Sequence, residues 1–543
     1  MNIGEKDTQA GANSRPPHFL HGQRRPRKLR ITRLLLAIIP AGVMLFCLST
    51  YLHRGSNCST KSSAGESKPH AEHQLLSNGT HWFRPTLVLV SVDGFRADYL
   101  DRGVTPELLR LGQKGLRADY MIPSFPSLTF PNHYTIVTGL YPGSHGIVSN
   151  EFFDTQTNDT FFYKDPLKSI DSKWWGGEPI WVTAEKQGLR AGINMWPGSM
   201  ATICGHKPSY VVPFSDNVEP RLKTQKVLEW LDLPFDKRPA FLATYMPEVD
   251  STAHKLGPND QKVNEAVRLV DSALGNLWSE IARRNLTNIV NLMVVSDHGM
   301  AEGQSGLNAI YIDDYIDTSQ LQGIYGWPLG GLQVKDSADV GAMYATLKRA
   351  SAGQPWDVYL RDDIPSRFHY TYKSRIAPIY VISRVPYYVT TRKESALYSL
   401  GKPMGVHGYD NMHPLMRATF VAVGPAFRSR TAQAPPTPRL FVEPHVNLTA
   451  LGMPGSQISD ITAMQDYLEL LRSAVVSRPG AVATGHHVYD YLWGDGRRNE
   501  AELRNIRHPP FENVELYGLM AKILGVVPAP NNGTADFARW WLH

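Results

Sequence analysis

From Pro85 onward, the chain alternates short apolar runs with longer amphipathic stretches. Four of the runs are rich in β-branched side chains and show no alternation of polar and apolar positions. They lie at residues 87–92, 241–244, 289–295 and 420–423. Such runs are typical of central strands in a parallel sheet that is covered on both faces. Residues 263–282 carry apolar side chains at helical spacing along one face, so the order of elements predicts an α/β fold with a mostly parallel sheet flanked by helices.

The amino-terminal region has a different pattern. Residues 34–52 form an uncharged, apolar run of nineteen residues, which is just long enough to cross the hydrocarbon core of a bilayer as a helix. Residues 1–33 carry eight Lys and Arg against two Asp and Glu. Because positive charge marks the cytoplasmic side, we expect a single-pass type II membrane protein with a transmembrane signal-anchor and an extracellular or lumenal body. A cleaved signal peptide and a buried core helix are the alternatives.

The amino-terminal tail accounts for the whole net charge of +6. The remaining chain is electrically balanced, which argues against nucleic-acid binding by a basic face. Only three cysteines occur, which excludes a disulfide-stapled array of small modules and cysteine-rich zinc fingers. One bridge, Cys58 to Cys204, is possible beyond the apolar segment.

The sequence divides into five parts. After the tail (1–33) and the anchor (34–52), residues 53–83 are rich in Ser, Gly, Glu, Lys and His and predict a solvated stalk. Residues 84–530 form one large domain, and residues 531–543 a carboxyl-terminal tail. Six Asn-x-Ser/Thr sequons follow the anchor and none precedes it, which agrees with the predicted topology. They are Asn57, Asn78, Asn158, Asn285, Asn447 and Asn532.

Acidic and imidazole side chains stand at the ends of the predicted strands. They are Asp93, Asp250, His254, Asp297, His298 and, in a glycine-bracketed loop, His407. In an open parallel sheet the carboxyl ends of the strands form the ligand crevice, so these residues should converge. Singly, each has an ordinary alternative, such as a helix cap or a surface pair. Together with one hydroxyl, three Asp and three His suit two zinc-like ions.

Thr129 is the candidate nucleophile. It precedes Phe130 and Pro131, and a proline there is typical of the first turn of a helix. The free N–H groups and the dipole of that helix would favour a phosphoryl anion and an alkoxide. The alternative is that Thr129 merely caps the helix.

Several segments resemble the ectonucleotide pyrophosphatase/phosphodiesterase family of the alkaline phosphatase superfamily. They are SVDGFRADYL, TFPNHYTIVTGLYP, GIVSN, GEPIWVTAEKQGL, WPGS, YMPEVDSTAHKLGP, SDHGM, GVHGYDN and NVELYGLM, in the family's order, and they span most of the chain beyond the stalk. The resemblance implies an alkaline-phosphatase-like sheet, a bimetallic site and a threonine nucleophile. It is closest to single-domain, fungal-type members.

The resemblance also implies a role for each matching residue. One zinc ion would be held by Asp250, His254 and His407. The other would be held by Asp93, Asp297, His298 and the oxygen of Thr129. Asn150 would donate to a phosphate oxygen, Phe130 and Tyr210 would flank a nucleobase, and Tyr245 would line the pocket.

These roles predict a membrane-anchored, zinc-dependent hydrolase. We expect it to convert nucleoside triphosphates, dinucleotides or nucleoside 5′-phosphodiesters to nucleoside monophosphates through a phosphothreonine intermediate. The alternative within the family is an enzyme for choline- or lipid-phosphodiesters. An alternative from another class is a catalytically silent adhesion or carrier ectodomain, which would be expected to lack at least one ligand.

Overall fold

The computed structural model describes residues 75–397, 399–427 and 507–542. Within these ranges, twelve strands form the two largest sheets. In chain order they are β1 (Thr86–Val92), β2 (Leu116–Ala118), β3 (Ala191–Asn194), β4 (Tyr210–Val212), β5 (Phe241–Met246), β6 (Val290–Val295), β7 (Leu321–Tyr325), β8 (Gly330–Val334), β9 (Trp356–Leu360), β10 (Ile379–Ser383), β11 (Phe420–Val423) and β12 (Arg507–His508). The four predicted strands are confirmed as β1, β5, β6 and β11.

Eight helices of seven or more residues surround these sheets in the described ranges. They are α1 (Pro106–Lys114), α2 (Thr129–Thr138), α3 (Ile180–Lys186), α4 (Pro220–Leu231), α5 (Glu248–Leu256), α6 (Gln261–Arg283), α7 (Val340–Ala350) and α8 (Leu516–Leu524). The helix predicted at residues 263–282 is therefore confirmed as α6. Its apolar face packs against the sheet through Val267, Val270 and Leu274, which are fully buried.

The large sheet has eight strands in the order β12-β2-β11-β6-β1-β5-β3-β4. All neighbouring pairs are parallel except β6 with β11 and β11 with β2. The predicted α/β class with a mostly parallel sheet is confirmed, with β11 as the antiparallel strand. The chain reaches β11 after His407, from the end of the sheet at which β6 finishes. β11 therefore runs in the direction opposite to β6.

Both faces of the large sheet are buried. Successive side chains of β1 alternate between two apolar clusters, with Leu87 and Leu89 on one face and Val88 and Val90 on the other. Helices α2, α3 and α8 cover the first face, which we call the α2 face. Helices α1, α4 and α6 cover the opposite face, which we call the α6 face. This double covering explains why the strands lack a polar side.

The smaller sheet is antiparallel, in the order β7-β8-β10-β9, and packs with α7 around its own apolar cluster. The chain enters and leaves this region through a paired ribbon, Ala301–Gln304 with Pro403–Val406. The ribbon positions the site, because His298 precedes its first strand and His407 follows its second.

The predicted anchor at residues 34–52 and most of the predicted stalk lie outside the described residues. Among the described helices, none combines the length and apolar character needed to cross a bilayer. The transmembrane helix and the five-part division of the chain therefore stay predictions. The described ends of the predicted stalk and carboxyl-terminal tail nevertheless pack with the domain, because Phe83 and Trp541 are buried in its apolar clusters.

Candidate active site

The predicted metal ligands converge at the carboxyl edge of the large sheet. Asp93 follows β1, and Asp297 with His298 follows β6. Asp250 and His254 are one turn apart in α5, which begins two residues after β5. Five of the six predicted ligands are buried, and the sixth, His254, has a side chain that is 32% exposed. The crevice rule for open parallel sheets accounts for this convergence.

Their ligand atoms form two overlapping groups. Asp93, Asp297 and His298 make one, and Asp250, His298 and His407 make the other; within each group the atoms lie within 4.8 Å of one another. In the first group, Nε2 of His298 is 3.0 Å from Oδ2 of Asp297 and 3.4 Å from Oδ1 of Asp93. His298 thus stands between the groups.

His254 lies beside the second group. Its Nε2 is 3.4 Å from Oδ1 of Asp250 and 3.0 Å from Nε2 of His407. The structure therefore brings all six predicted ligands together, and the division of these ligands between two ions stays a prediction.

Backbone carbonyls orient the three imidazoles. Nδ1 of His254 donates to the Gly405 carbonyl at 2.8 Å, Nδ1 of His298 to the Gly299 carbonyl at 2.8 Å, and Nδ1 of His407 to the Ser127 carbonyl at 2.9 Å. Because a carbonyl oxygen only accepts, each Nδ1 carries the hydrogen and each neutral ring presents a lone pair at Nε2. Opposed lone pairs of His254 and His407 suit a bound cation, and such carbonyl contacts are the usual support of metal-binding histidines.

The carboxylates also fit metal ions. Among the described residues, Oδ1 of Asp93, Oδ1 of Asp250 and Oδ2 of Asp297 are buried and accept no well-formed hydrogen bond; the Nδ1 group of His133 faces Oδ2 of Asp297 at 3.3 Å. A buried oxygen left unsatisfied costs about 1–3 kcal/mol or more. Burial, together with the charges of Asp297 and Asp250, raises the pKa of Asp93 well above its usual range. Cations at these oxygens would remove both penalties, so the residues present fit bound metal ions.

The second oxygens of Asp297 and Asp93 accept hydrogen bonds from the protein. Oδ1 of Asp297 accepts from the backbone N–H groups of Gly94, at 3.1 Å, and His298, at 3.0 Å. The hydroxyl of Tyr245 donates to Oδ2 of Asp93. Gly94 has a φ of 64°, and a Cβ there would lie only 3.0 Å from Cβ of Asp250. A side chain at this position would push the Asp93 loop away from Asp250.

Thr129 lies at the same edge. Its Oγ1 is 3.4 Å from Nε2 of His298, and it is the first residue of α2. The capping position is occupied by Leu128, whose backbone is extended and whose side chain makes no cap. The alternative that Thr129 serves only as the cap therefore does not describe this helix, and its hydroxyl lies beside His298 in the cluster of acids and imidazoles.

Asn150 is tied to the residue after Thr129. Its Oδ1 accepts from the backbone N–H of Phe130 at 2.9 Å. This bond fixes the amide, because the carbonyl oxygen is engaged and the Nδ2 group remains the donor. Asn150 thus lies against the first turn of α2, beside Thr129.

The prediction for Tyr210 is wrong in its placement. Its ring packs with Trp230 on the α6 face, and its hydroxyl donates to the Lys237 carbonyl at 2.9 Å. Phe130 packs on the α2 face, so the sheet separates the two rings. The reason is the strict alternation of side chains along a strand, which carries Tyr210 to the far side of β4.

Two aromatic residues that the sequence analysis did not select lie near the site. The ring of Tyr163 is 5.4 Å from that of Phe130, in a cluster that also includes Phe161. Phe214, two residues past β4, is 51% exposed and its ring is 6.2 Å from that of Tyr245. The carboxyl-edge rule could have found Phe214. No sequence signal distinguished Tyr163 from core aromatics.

Of the predicted sequons, Asn57 and Asn447 lie outside the described residues. Asn158, Asn285 and Asn532 are exposed. Nδ2 of Asn78 donates to the Arg284 carbonyl at 2.9 Å, and Nδ2 of Asn285 donates to the Asn78 carbonyl at 2.8 Å. Cys204 is disulfide-bonded. Since Cys58 also lies outside the described residues, its pairing with Cys204 stays a prediction.

Comparisons with known proteins give the family of this chain. The family described as type I phosphodiesterase / nucleotide pyrophosphatase matches residues 87–410. An uncharacterized pyrophosphatase/phosphodiesterase of Schizosaccharomyces pombe is 43% identical over 360 residues, which cover 65% of this chain and 74% of that protein. Human ectonucleotide pyrophosphatase/phosphodiesterase family member 1 is 32% identical over 462 residues, or 83% of this chain and 41% of that protein.

A solved structure extends the comparison to the fold. Murine ectonucleotide pyrophosphatase/phosphodiesterase 5, as an inactive threonine-to-alanine variant in complex with AMP, is 27% identical with a TM-score of 0.66. The match covers 85% of this chain and 100% of that one. The chain therefore belongs to the type I phosphodiesterase / nucleotide pyrophosphatase family of the alkaline phosphatase superfamily, a family of hydrolases.

Proposed function

We propose that this chain is a zinc-dependent nucleotide pyrophosphatase/phosphodiesterase that uses Thr129 as its nucleophile. The observation that carries the proposal is the convergence of the Thr129 hydroxyl with three Asp and three His at the carboxyl edge of the sheet. Substrates would be nucleoside triphosphates, dinucleotides or nucleoside 5′-phosphodiesters, and the product a nucleoside monophosphate.

The ligand set supports two zinc ions. Asp250, His254 and His407 would hold one, while Asp93, Asp297, His298 and Thr129 would hold the other. Imidazole and carboxylate are the ligands that zinc takes in the absence of thiolates. When bound, two such ions lower the pKa of a hydroxyl and stabilise charge on the attacking and leaving oxygens.

The chain supplies the nucleophile and its setting. Oγ1 of Thr129 attacks phosphorus, forming a Thr129 Oγ–P bond as the bond from phosphorus to the leaving oxygen breaks, and the hydroxyl proton passes to the leaving oxygen or to solvent. Water then attacks the same phosphorus, the Oγ–P bond breaks, and Thr129 recovers its proton as the monophosphate leaves. Thr129 begins α2, so the free N–H groups of the first turn favour the negative charge. The inactive threonine variant of the murine relative supports this role.

Asn150 would bind a non-bridging phosphate oxygen through Nδ2. Its Oδ1 is engaged by the Phe130 backbone, so the donor end of the amide is the one available. A neutral donor suits a phosphodiester, which carries one negative charge fewer than a dianionic monoester.

Aromatic side chains near the site support a nucleotide substrate. Phe130, Tyr163 and Phe214 take the place of the predicted pair Phe130 and Tyr210, because all three are partly exposed near the site. Every nucleobase offers a π face for stacking on such rings. The murine relative was solved with AMP.

Residues 34–52 would hold the enzyme in a membrane with the catalytic domain outside the cytoplasm. The support is the charge pattern of the sequence and the exposure of Asn158, Asn285 and Asn532. The topology can be tested by treating the full-length protein with a glycosidase and measuring its mass. We expect the mass to fall on treatment, and not to fall when these asparagines are changed to glutamine. A protein without glycans in a glycosylating host would contradict it.

The substrate class can be tested with two chromogenic esters. The full-length protein in detergent would be assayed with p-nitrophenyl thymidine 5′-monophosphate and p-nitrophenyl phosphorylcholine, with and without chelator. We expect chelator-sensitive turnover dominated by the nucleotide ester. Dominance of the choline ester would contradict the nucleotide assignment, and absence of turnover on either would contradict the enzymatic function.

A further inference from the structure

A buried histidine joins the candidate nucleophile to the metal cluster. His133 lies one turn after Thr129 in α2 and is fully buried. Its Nδ1 is 2.9 Å from the carbonyl oxygen of Thr129 and 3.3 Å from Oδ2 of Asp297. Its Nε2 is 2.8 Å from Oγ of Ser91, two residues before Asp93 on β1. One ring thus contacts three elements that build the site.

The contacts determine the role of each ring nitrogen. Both neighbours of Nδ1 are oxygens that only accept, so Nδ1 carries a hydrogen that it donates to the Thr129 carbonyl while facing Asp297. The hydroxyl of Ser91 can either donate to Nε2 or accept from it, so the contact with Ser91 is compatible with Nε2 protonated or unprotonated. Only the contact at Nδ1 requires a hydrogen on the ring nitrogen.

The packing around His133 holds the ring in place. The rings of Tyr245 and Trp196 pack edge-on against it, with ring centroids 4.9 Å and 5.0 Å from that of His133. Tyr245 in turn donates its hydroxyl to Asp93. A displaced His133 ring would therefore disturb supports of both Asp93 and Asp297.

We propose that His133 is a positioning residue that fixes the start of α2 against Asp297, and thereby sets Thr129 relative to the metal ions. The inference rests on the proposed function for Thr129. Residues that orient metal ligands typically change metal affinity or activity by about 10- to 100-fold when removed. A histidine that only filled the core would affect stability without this selective loss.

Two substitutions separate the Nδ1 contact from the Nε2 contact. The amide nitrogen of asparagine can take the place of Nδ1, and that of glutamine the place of Nε2. We expect His133→Asn to keep zinc content and kcat within about threefold of the unsubstituted protein. We expect His133→Gln to lower kcat by about 10- to 100-fold and to weaken zinc binding in competition with a chromogenic chelator.

His145 offers a matched control. It is also fully buried and packs edge-on against an aromatic ring, that of Tyr134. Its polar contacts are the Thr135 hydroxyl and the backbones of Ile147 and Pro131, and none of them is a proposed metal ligand. His145→Gln should therefore lower the melting temperature without changing zinc affinity or kcat per folded molecule.

The proposal is tested by zinc affinity and kcat of the full-length protein for the three variants, with circular dichroism to confirm folding. Equal behaviour of His133→Asn and His133→Gln, or a loss in His145→Gln as large as in His133→Gln, would overturn it. Zinc competition is measured without substrate, so the result is separate from failure of the proposed activity. If His133→Gln does not fold, the same proposal requires normal zinc affinity in His133→Asn, and a tenfold loss there would overturn it.

Discussion

Oγ1 of Thr129 lies 3.4 Å from Nε2 of His298, although the two residues are 169 positions apart in the chain. The contact joins the first residue of α2 to the end of β6. It places a hydroxyl at the edge of a buried cluster of acids and imidazoles, where a bound cation can lower its pKa.

Removing that hydroxyl should abolish turnover and leave the fold intact. For Thr129→Ala we expect kcat to fall by about a thousandfold or more, because the covalent route is lost. The free energy of unfolding should change by less than about 1 kcal/mol, since Leu128 and not Thr129 holds the capping position. Thr129→Ser, which keeps a hydroxyl, should retain measurable activity. A fully active alanine variant in steady-state assays would show that another group is the nucleophile.

Metal removal should destabilise the protein as well as inactivate it. Three carboxylates share the buried cluster, and each has one buried oxygen that accepts no well-formed hydrogen bond from the described residues. Ions that bind only the folded state at a thousand times their Kd would add about 4 kcal/mol. Differential scanning calorimetry should therefore show a clear fall in Tm on chelation and recovery on adding zinc. An unchanged Tm would be inconsistent with metal ions in this cluster.

Phe214 and Tyr210 provide an internal comparison for base binding. Phe214→Ala should raise KM for a nucleotide ester by about tenfold, because stacking of a base on an aromatic ring contributes about 1–3 kcal/mol. Tyr210→Phe removes only a hydroxyl bonded to the Lys237 carbonyl on the opposite side of the sheet, so KM should not change. If initial-rate measurements instead gave a raised KM for Tyr210→Phe and an unchanged KM for Phe214→Ala, the base would bind at Tyr210.

His145 should make stability depend on pH away from the site. Burial, with a smaller contribution from the charge of Arg375, lowers its pKa to about 3. Because the folded-state pKa is depressed, its stabilisation is fully present above the unfolded value near 6.5 and is lost as pH falls toward 3. Between pH 6.5 and 5.5 the loss approaches about 1 kcal/mol. Urea unfolding of His145→Gln should show a flatter pH dependence, and an unchanged slope would contradict this origin.

Much of the fold and most of the site could be predicted because both depend on local patterns. Apolar runs marked β1, β5, β6 and β11 within two residues, and the ends of three of them supplied Asp93, Asp250 and Asp297. Strand order and direction could not be read in this way. The antiparallel direction of β11 depends on where the long segment between β6 and β11, which contains the smaller sheet, rejoins the large sheet.

The choice of Tyr210 and the omission of Phe214 as base-binding residues have a similar cause. Tyr210 begins a strand of three residues, too short for its periodicity to show which side chain faces which helix layer. Phe214 lies just beyond that strand, where the chain has left the sheet geometry. His133 was missed because a buried polar residue in an apolar helix resembles ordinary core until its partners from β1 and β6 are known.

The most direct test of the central claim, a covalent Thr129 intermediate, is the stereochemistry of hydrolysis at phosphorus. A nucleoside 5′-phosphorothioate diester of one configuration would be hydrolysed in isotopically labelled water, and the product configuration determined by NMR. Two successive in-line displacements, first by Thr129 and then by water, predict net retention. Net inversion would mean that water attacks the substrate directly, and would contradict the account.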